Sequence, residues 1–263
     1  MDKNVDMNRR DFTTKTAAVG TLGATGLVTS SLSSQESSSG PLTNEIYELR
    51  QYEVAFFDNK ANLMSHLNDV LLPAMKEAGA NHTFLFKEQG DAEPTKFWVM
   101  ISYPSLDIYQ ICQTAISTPK FVEASADHSA AGKSYNRYSS SLLSAFDGIP
   151  KMRLPADNHA LFELRIYEGV NEDAVRRKVM MFDDEELPLF DEVGLNSIFF
   201  GKMLIGPYMP CLVYMLGFED MDDRAAAWTR FGKHPDWIEM LNKPIYKDTV
   251  SNIRKIFLEK IGA

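Results

Sequence analysis

The chain has 263 residues, 44% of them hydrophobic and 24% charged, and a formal net charge of −9 at pH 7. These values are typical of a folded globular protein long enough for two small domains, and they exclude a chain that is disordered throughout. The acidic balance argues against nucleic acid as a partner, because phosphate backbones attract basic surfaces.

The N-terminal segment does not show the pattern of a fold. Arg9 and Arg10 resemble the pair in the twin-arginine export motif, and a weakly hydrophobic run, residues 17–32, follows them. We therefore predict an export signal over residues 1–36 and a linker over 37–44. This places the protein in the periplasm or outside the cell, with no transmembrane anchor once the signal is removed. The cleavage position stays open, and so does the alternative of a disordered tail that contains two arginines.

One phrase occurs twice in the chain. Residues 48–53 read Glu-Leu-Arg-Gln-Tyr-Glu, and residues 163–168 read Glu-Leu-Arg-Ile-Tyr-Glu, 115 positions later. The same offset relates a Leu-Pro pair, a glycine, a phenylalanine and a lysine further along each copy. A register held over about seventy positions indicates two copies of one domain-sized unit. We predict repeat one over residues 45–147, a linker over 148–158 and repeat two over 159–262.

Each copy shows the same order of predicted elements. The doubled phrase alternates apolar and polar residues, as a half-buried strand does. A helical pattern follows, then a hairpin, then a second helix with a break before a proline, and finally a last strand. The order β-α-β-β-α-β, twice, is the ferredoxin-like plan of an α+β protein. The hairpin runs are 83–86 with 97–103 and 197–200 with 211–218, the second helices begin near Leu106 and Met221, and the last strands cover 139–146 and 251–258.

The third strand of each copy, residues 97–101 and 212–216, is apolar on both faces. A four-stranded sheet covered by helices on one side only would not need this. The other copy can cover the second face, sheet against sheet, which predicts two tandem ferredoxin-like repeats that close one α/β barrel within the chain. A second polypeptide could supply the same cover, so a homo-oligomer also stays open.

Together these features resemble the NIPSNAP family. The resemblance is carried by Glu-Leu-Arg-x-Tyr on a first strand, by a late Leu-Pro and a closing glycine in the helix, by the hairpin, and by a Pro-x-aromatic element in each copy. It covers residues 45–260 and implies ferredoxin-like domains of the dimeric α/β-barrel type. The family's biochemical role is poorly defined, and similar barrels include cofactor-free monooxygenases and haem-binding proteins. Repeat one departs from repeat two in having Phe121 where Trp237 stands.

The doubled phrase also supplies the candidate site. If its apolar face takes the helices, its other face enters the barrel, where a buried arginine must be paired. One interpretation is an ionic network that fixes how the sheets pack. The other is a site in which arginine binds an anionic or carbonyl group, while tyrosine adds a hydroxyl and an aromatic wall. The candidate residues are Glu48, Arg50, Tyr52, Glu163, Arg165, Tyr167 and Trp237, of which Trp237 either packs under the helix break or lines the barrel mouth.

Few other residues suggest chemistry. The five histidines show no metal-ligand spacing, so no metal and no cofactor is predicted, although a haem ligand among them stays open. The acidic run 183–186 is typical of a solvated helix face. Pro73 and Pro188 predict bends in the first helices. Cys112 and Cys211 lie at non-equivalent positions, which leaves their pairing open.

The preferred hypothesis is a barrel that binds a small, partly apolar molecule. The alternatives are an enzyme of the same barrel type, either a cofactor-free monooxygenase or a haem-binding protein, and a protein-interaction module. Neither the ligand nor any catalytic activity follows from the sequence, because a fold of this kind hosts many functions.

Overall fold

The computed structural model of the protein describes residues 44–261. The predicted export signal and nearly all of the linker after it lie outside these residues. Eight strands form within the described range, and every pairing between them is antiparallel. They are β1 (Ile46–Val54), β2 (His82–Glu88), β3 (Thr95–Tyr103), β4 (Arg137–Ala145), β5 (Leu161–Gly169), β6 (Asn196–Ile205), β7 (Cys211–Phe218) and β8 (Val250–Lys260).

The helices follow the predicted order. Side chains cap several of them: Ser105 accepts a hydrogen bond from the Ile108 N–H, and Asn171 accepts one from the Ala174 N–H. The predicted break before a proline separates α3 from α4 in repeat one and α8 from α9 in repeat two. The α-helices of the described residues are α1 (Lys60–His66), α2 (Leu72–Glu77), α3 (Leu106–Ala115), α4 (Pro119–Ala124), α5 (Ala126–Ala130), α6 (Glu172–Met181), α7 (Leu187–Val193), α8 (Met221–Lys233) and α9 (Pro235–Asn242).

A single π-helical turn precedes each Leu-Pro pair. Leu67–Leu71 connects α1 to α2, and Phe182–Glu186 connects α6 to α7. In each turn the N–H of the following leucine donates to the carbonyl five residues earlier. Pro73 and Pro188 therefore lie in the first turn of a new α-helical segment, where a missing N–H is tolerated. The irregularity at the prolines is thus a widened turn.

The strands close into one barrel. Its order is β1-β3-β2-β8-β5-β7-β6-β4, and β4 pairs with β1. Strands β1–β4 form one ferredoxin-like half, repeat one, and β5–β8 form the other, repeat two. The halves join through β2 with β8 and through β4 with β6. The fold is therefore the one that the sequence predicts, with two tandem ferredoxin-like repeats closing a barrel inside one chain.

Apolar side chains from both repeats form one cluster in the barrel interior, beside a cavity lined by Leu49, Trp98 and Met203 among others. Tyr47 and Leu49 of β1 belong to one cluster with Leu164 and Ile166 of β5 and with Phe199 of β6. The helices cover the outside, where each repeat has a separate core between its helices and its part of the sheet. Because both faces of the strands are buried, the third strands have no polar face.

The direction predicted for the polar face of the doubled phrase is wrong. Its side chains lie on the outside of the sheet, beneath the helices: Arg50 donates to Gln113 on α3, and Glu163 accepts from Trp228 on α8. A buried apolar cluster occupies much of the barrel interior, whereas the helices bring the polar partners that buried charges require. The residues placed outside the barrel are Glu48, Arg50, Tyr52, Glu163, Arg165 and Tyr167.

Each helix within residues 44–261 is too short or too polar to span a lipid bilayer. No group of three or more His, Cys, Asp or Glu residues in the range is placed to hold a metal ion. Cys112 and Cys211 are free, buried thiols that belong to different cores.

Candidate ligand-binding site

In repeat one the doubled phrase forms a closed ionic network. The Glu48 carboxylate accepts from the Arg50 guanidinium at two points, Nε to Oε1 at 2.7 Å and Nη2 to Oε2 at 3.1 Å. It also accepts from the Tyr103 hydroxyl at 2.7 Å, the Ser140 hydroxyl at 2.7 Å and the Gln113 amide at 3.2 Å. Only 2% of Arg50 is exposed. This arrangement satisfies both charges within the protein, as the network interpretation requires.

In repeat two the equivalent carboxylate has a different partner. Glu163 accepts two hydrogen bonds from Arg224 on α8, at 2.7 and 2.8 Å, and one from Trp228 Nε1 at 2.9 Å. Arg165 Nε lies 3.2 Å from Glu163 Oε1, but it is buried without a hydrogen bond. Arg165 Nη1 instead donates to the Tyr167 and Tyr214 hydroxyls, both at 3.1 Å. The donor capacity of Arg165 is therefore only partly used.

The difference between the repeats follows from substitutions at the 115-residue offset. Trp228 stands at the position of Gln113, and Arg224 stands at the position of Tyr109. An arginine on α8 can hold the carboxylate with a planar two-point contact, which a tyrosine cannot do. Repeat two has therefore gained a second cation beside Glu163.

A cavity of about 410 Å³ lies next to Arg165, between the outer face of the sheet and the helices of repeat two. The Arg165 guanidinium carbon lies 4.1 Å from the centre of the Trp228 ring, a cation–π contact. Burial raises the pKa of Tyr167 and of Tyr214, so both hydroxyls keep their protons at neutral pH. The cavity is lined by Arg165, Tyr167, Lys178, Met181, Glu186, Phe190, Trp228, Phe231, Gly232, Trp237, Leu241, Tyr246, Thr249, Val250 and Ile253.

A buried ion pair forms a second wall of this cavity. The Lys178 ammonium donates to the Glu186 carboxylate across the π-helical turn, and both side chains are buried. Burial raises the pKa of the Glu186 carboxyl. At the 115-residue offset, repeat one has Leu63 and Leu71. Both leucines belong to the apolar core there, so the charged wall is a property of repeat two alone.

The structure brings together three of the seven candidate residues. Arg165, Tyr167 and Trp237 line the cavity, and Trp237 packs its ring 4.4 Å from that of Phe231. Glu163 is not among the residues that line the cavity and forms an ion pair with Arg224. The three candidates of repeat one do not join them: Glu48 and Arg50 form the closed network, and Tyr52 packs between the rings of Tyr135 and Tyr138.

Five residues of the site were not among the residues predicted from the sequence. The acidic run predicted to be solvated contains Glu186, which is 2% exposed, so that prediction is wrong at this position. A comparison of the two repeats could have found them. A residue whose counterpart at the 115-residue offset differs in charge or polarity marks a position with a different role. The missed residues are Lys178, Glu186, Tyr214, Arg224 and Trp228. The residues that line the cavity include none of the five histidines.

The barrel of two ferredoxin-like halves defines the class of the protein, the dimeric α/β-barrel type. Two solved structures show the same fold. A proposed monooxygenase from Fusobacterium nucleatum is 11% identical, with a TM-score of 0.56, over 84% of this chain and 94% of that one. A proposed monooxygenase from Lactobacillus acidophilus is 10% identical, with a TM-score of 0.54, over 82% and 94%. At this identity the likeness concerns the fold alone.

Residues 162–262, which make up repeat two, match the NIPSNAP family model. A NIPSNAP-like domain protein from Burkholderia xenovorans is 27% identical over 38% of this chain and 84% of that one, with a TM-score of 0.35. None of the curated proteins compared matches this chain. The residues that match the family model lie in the repeat that holds the cavity.

Proposed function

We propose that repeat two binds a small, partly apolar molecule in the cavity beside Arg165. The observation that carries this proposal is Arg165, whose side chain lines a cavity walled by aromatic rings and whose Nε is buried without a hydrogen bond. Buried donors are nearly always paired, and an exception at a cavity marks a place for a ligand atom. Arg165 and Tyr167 would bind an oxygen of the ligand, and Trp228 and Trp237 would contact its apolar part.

A ligand search on the intact protein tests this proposal. Native mass spectrometry of protein purified from its natural source should reveal a bound molecule of a few hundred daltons at most, and Arg165→Met should abolish its retention while the variant remains folded. Lys120→Met is a suitable control, because it removes an equal charge from an exposed side chain of repeat one. If no ligand is recovered and no metabolite raises the melting temperature, a protein-interaction role replaces binding.

A second candidate function is proton-transfer catalysis in the same cavity. Glu186 is a buried carboxyl with a raised pKa at the cavity wall, and such groups serve as general acids or bases. The proposed cofactor-free chemistry would resemble that of a monooxygenase. Oxygen uptake with quinol substrates, present in the wild type and lost in Glu186→Gln, would support it. Binding of the quinol without oxygen uptake would restrict the protein to binding.

We also propose that the first half of the chain is a second NIPSNAP-like repeat and that the protein is exported through the twin-arginine route. The 115-residue offset and the pair of Arg9 and Arg10 support these proposals. Cell fractionation tests the second one. A mature protein in the periplasm or medium, lost to the cytoplasm when both arginines become lysine, is the expected result, and a full-length cytoplasmic wild type would contradict it.

A further inference from the structure

We infer that the ligand of the repeat-two cavity is a monoanion, with a carboxylate or an ionised phenol or enol attached to a flat ring system. This inference rests on the proposed binding function and specifies the chemistry of its ligand. It follows from the balance of charges around the cavity and from the position of one arginine outside it.

The buried charges at the cavity do not cancel. Lys178 and Glu186 form one pair, and Arg224 and Glu163 form another. At the rim, Lys243 pairs with Glu185 at 2.5 Å and with the exposed Glu239 at 3.8 Å, and Glu185 also accepts from the Tyr246 hydroxyl at 2.6 Å. Arg165 is the remaining charge, and the neighbours that its Nη1 contacts are neutral hydroxyls. Apart from the exposed rim, the site therefore has three cations, Arg165, Lys178 and Arg224, and two carboxylates, Glu163 and Glu186, so that one positive charge is in excess.

Arg224 is the cause of this excess. It occupies both oxygens of Glu163, and Trp228 adds a third donor to the same carboxylate. Arg165 keeps an ion-pair distance to Glu163 but no hydrogen bond. Repeat one has Tyr109 in place of Arg224. There Arg50 donates two hydrogen bonds to Glu48, and the two charges balance each other. Arg224 thus acts as a positioning residue that directs Arg165 toward the ligand.

A buried cation that shares its only counter-ion with a second cation is unfavourable, because the low-dielectric interior does not replace its hydration. Burial lowers the pKa of Arg165, but Tyr214, Tyr167 and Glu163 outweigh this effect and raise the pKa overall, so the group stays charged. An anionic oxygen in the cavity would complete the balance. It would also accept a hydrogen bond from the Tyr167 hydroxyl, whose oxygen already accepts hydrogen bonds from Arg165 and Tyr214.

The rest of the cavity selects a flat apolar body. Its walls include the rings of Phe190, Trp228, Phe231 and Trp237, and its volume of about 410 Å³ suits a molecule of one to three rings. Lys178 is held by Glu186 and so is not available as a second anion partner. A dianion such as a phosphate monoester would therefore leave one charge uncompensated.

Calorimetric titration with acids and their neutral amides tests the inference. The probes are cinnamate with cinnamamide and phenylacetate with phenylacetamide, pairs that match in shape and differ in charge. In the wild type each acid should bind at least about 10-fold more tightly than its amide, because a hydrogen bond to a charged group is worth that much. The preference should fall to about 1-fold in Arg165→Met. It should persist in Lys120→Met, which removes the same charge from an exposed site.

Arg224→Tyr is the sharper variant, because it restores the residue of repeat one without changing a side chain that lines the cavity. In this variant Arg165 should form hydrogen bonds with Glu163, and the acids should no longer bind more tightly than their amides. Arg165→Lys keeps the positive charge and serves as the conservative variant. Melting curves of all variants show whether each one is folded. Equal binding of acids and amides would overturn the monoanion and leave the binding function standing. Binding of none of the four probes would overturn the monoanion, and the binding function would fall with it only if the ligand search also recovered nothing. An undiminished preference in Arg224→Tyr would overturn the role of Arg224.

Discussion

Arg50 and Arg165 occupy equivalent positions of the two repeats, but only Arg50 is held by its neighbouring glutamate. The Arg50 guanidinium contacts both oxygens of Glu48, whereas Arg165 Nε lies 3.2 Å from Glu163 without a hydrogen bond. One copy of the phrase is thus a structural network, and the other borders a cavity.

Because of this difference, we expect the same substitution to cost much more stability in repeat one than in repeat two. Arg50→Met should lower the free energy of unfolding by about 3–5 kcal/mol, because it leaves the Glu48 carboxylate buried without its cation. Arg165→Met should change it by less than about 1 kcal/mol, because Arg224 still pairs with Glu163. Chemical denaturation measures both values. Equal losses in the two variants would show that Arg165 is as much a part of the packing as Arg50.

The buried pair in repeat two gives a second prediction. Lys178→Leu alone should destabilise the protein by about 3–5 kcal/mol, since Glu186 would lose its partner. The double variant Lys178→Leu, Glu186→Leu restores the residues found in repeat one and should be neutral or stabilising by about 1–4 kcal/mol. Thermal and chemical unfolding of the single and double variants check this. A double variant no more stable than the single one would contradict it.

The pH dependence of stability should include a contribution from His66. Burial, followed by the nearby His128, lowers the pKa of His66 below its ordinary value of 6.5, and His66 Nδ1 is buried without a hydrogen bond. A base whose pKa falls on folding adds stability above pH 6.5 and loses it as the pH falls through the folded pKa. Between pH 7.5 and 4.5 the free energy of unfolding should therefore fall more steeply for the wild type than for His66→Gln. Parallel curves would contradict this account.

The architecture could be predicted from the sequence because the repeat and the alternation are local signals that add up over many residues. The last strands, the hairpins and the helix breaks lie where the patterns place them, and the apolar third strands indicate the closed barrel. The direction of the doubled phrase could not be predicted, because β1 and β5 are buried on both faces. Alternation shows which residues share a face but not which layer that face meets.

The site was harder to predict for a different reason. The buried pair of Lys178 and Glu186 depends on a π-helical turn, which shifts the side chains after it relative to a regular α-helix. The row of apolar residues at Val175, Val179 and Phe182 continues at the helical period to Glu186, but the acidic run 183–186 around it favours a solvated face. The role of Arg224 depends on a contact between α8 and β5, over sixty-one residues of sequence. Comparing the two copies position by position would have revealed both differences.

The most direct test of the account is a crystal structure of the protein with bound cinnamate. The account predicts the carboxylate within about 3 Å of the Arg165 guanidinium, with the ring between Trp228 and Trp237. Cinnamate bound instead in the separate pocket of the barrel interior, lined by Leu49, Trp98 and Met203 among others, would contradict it.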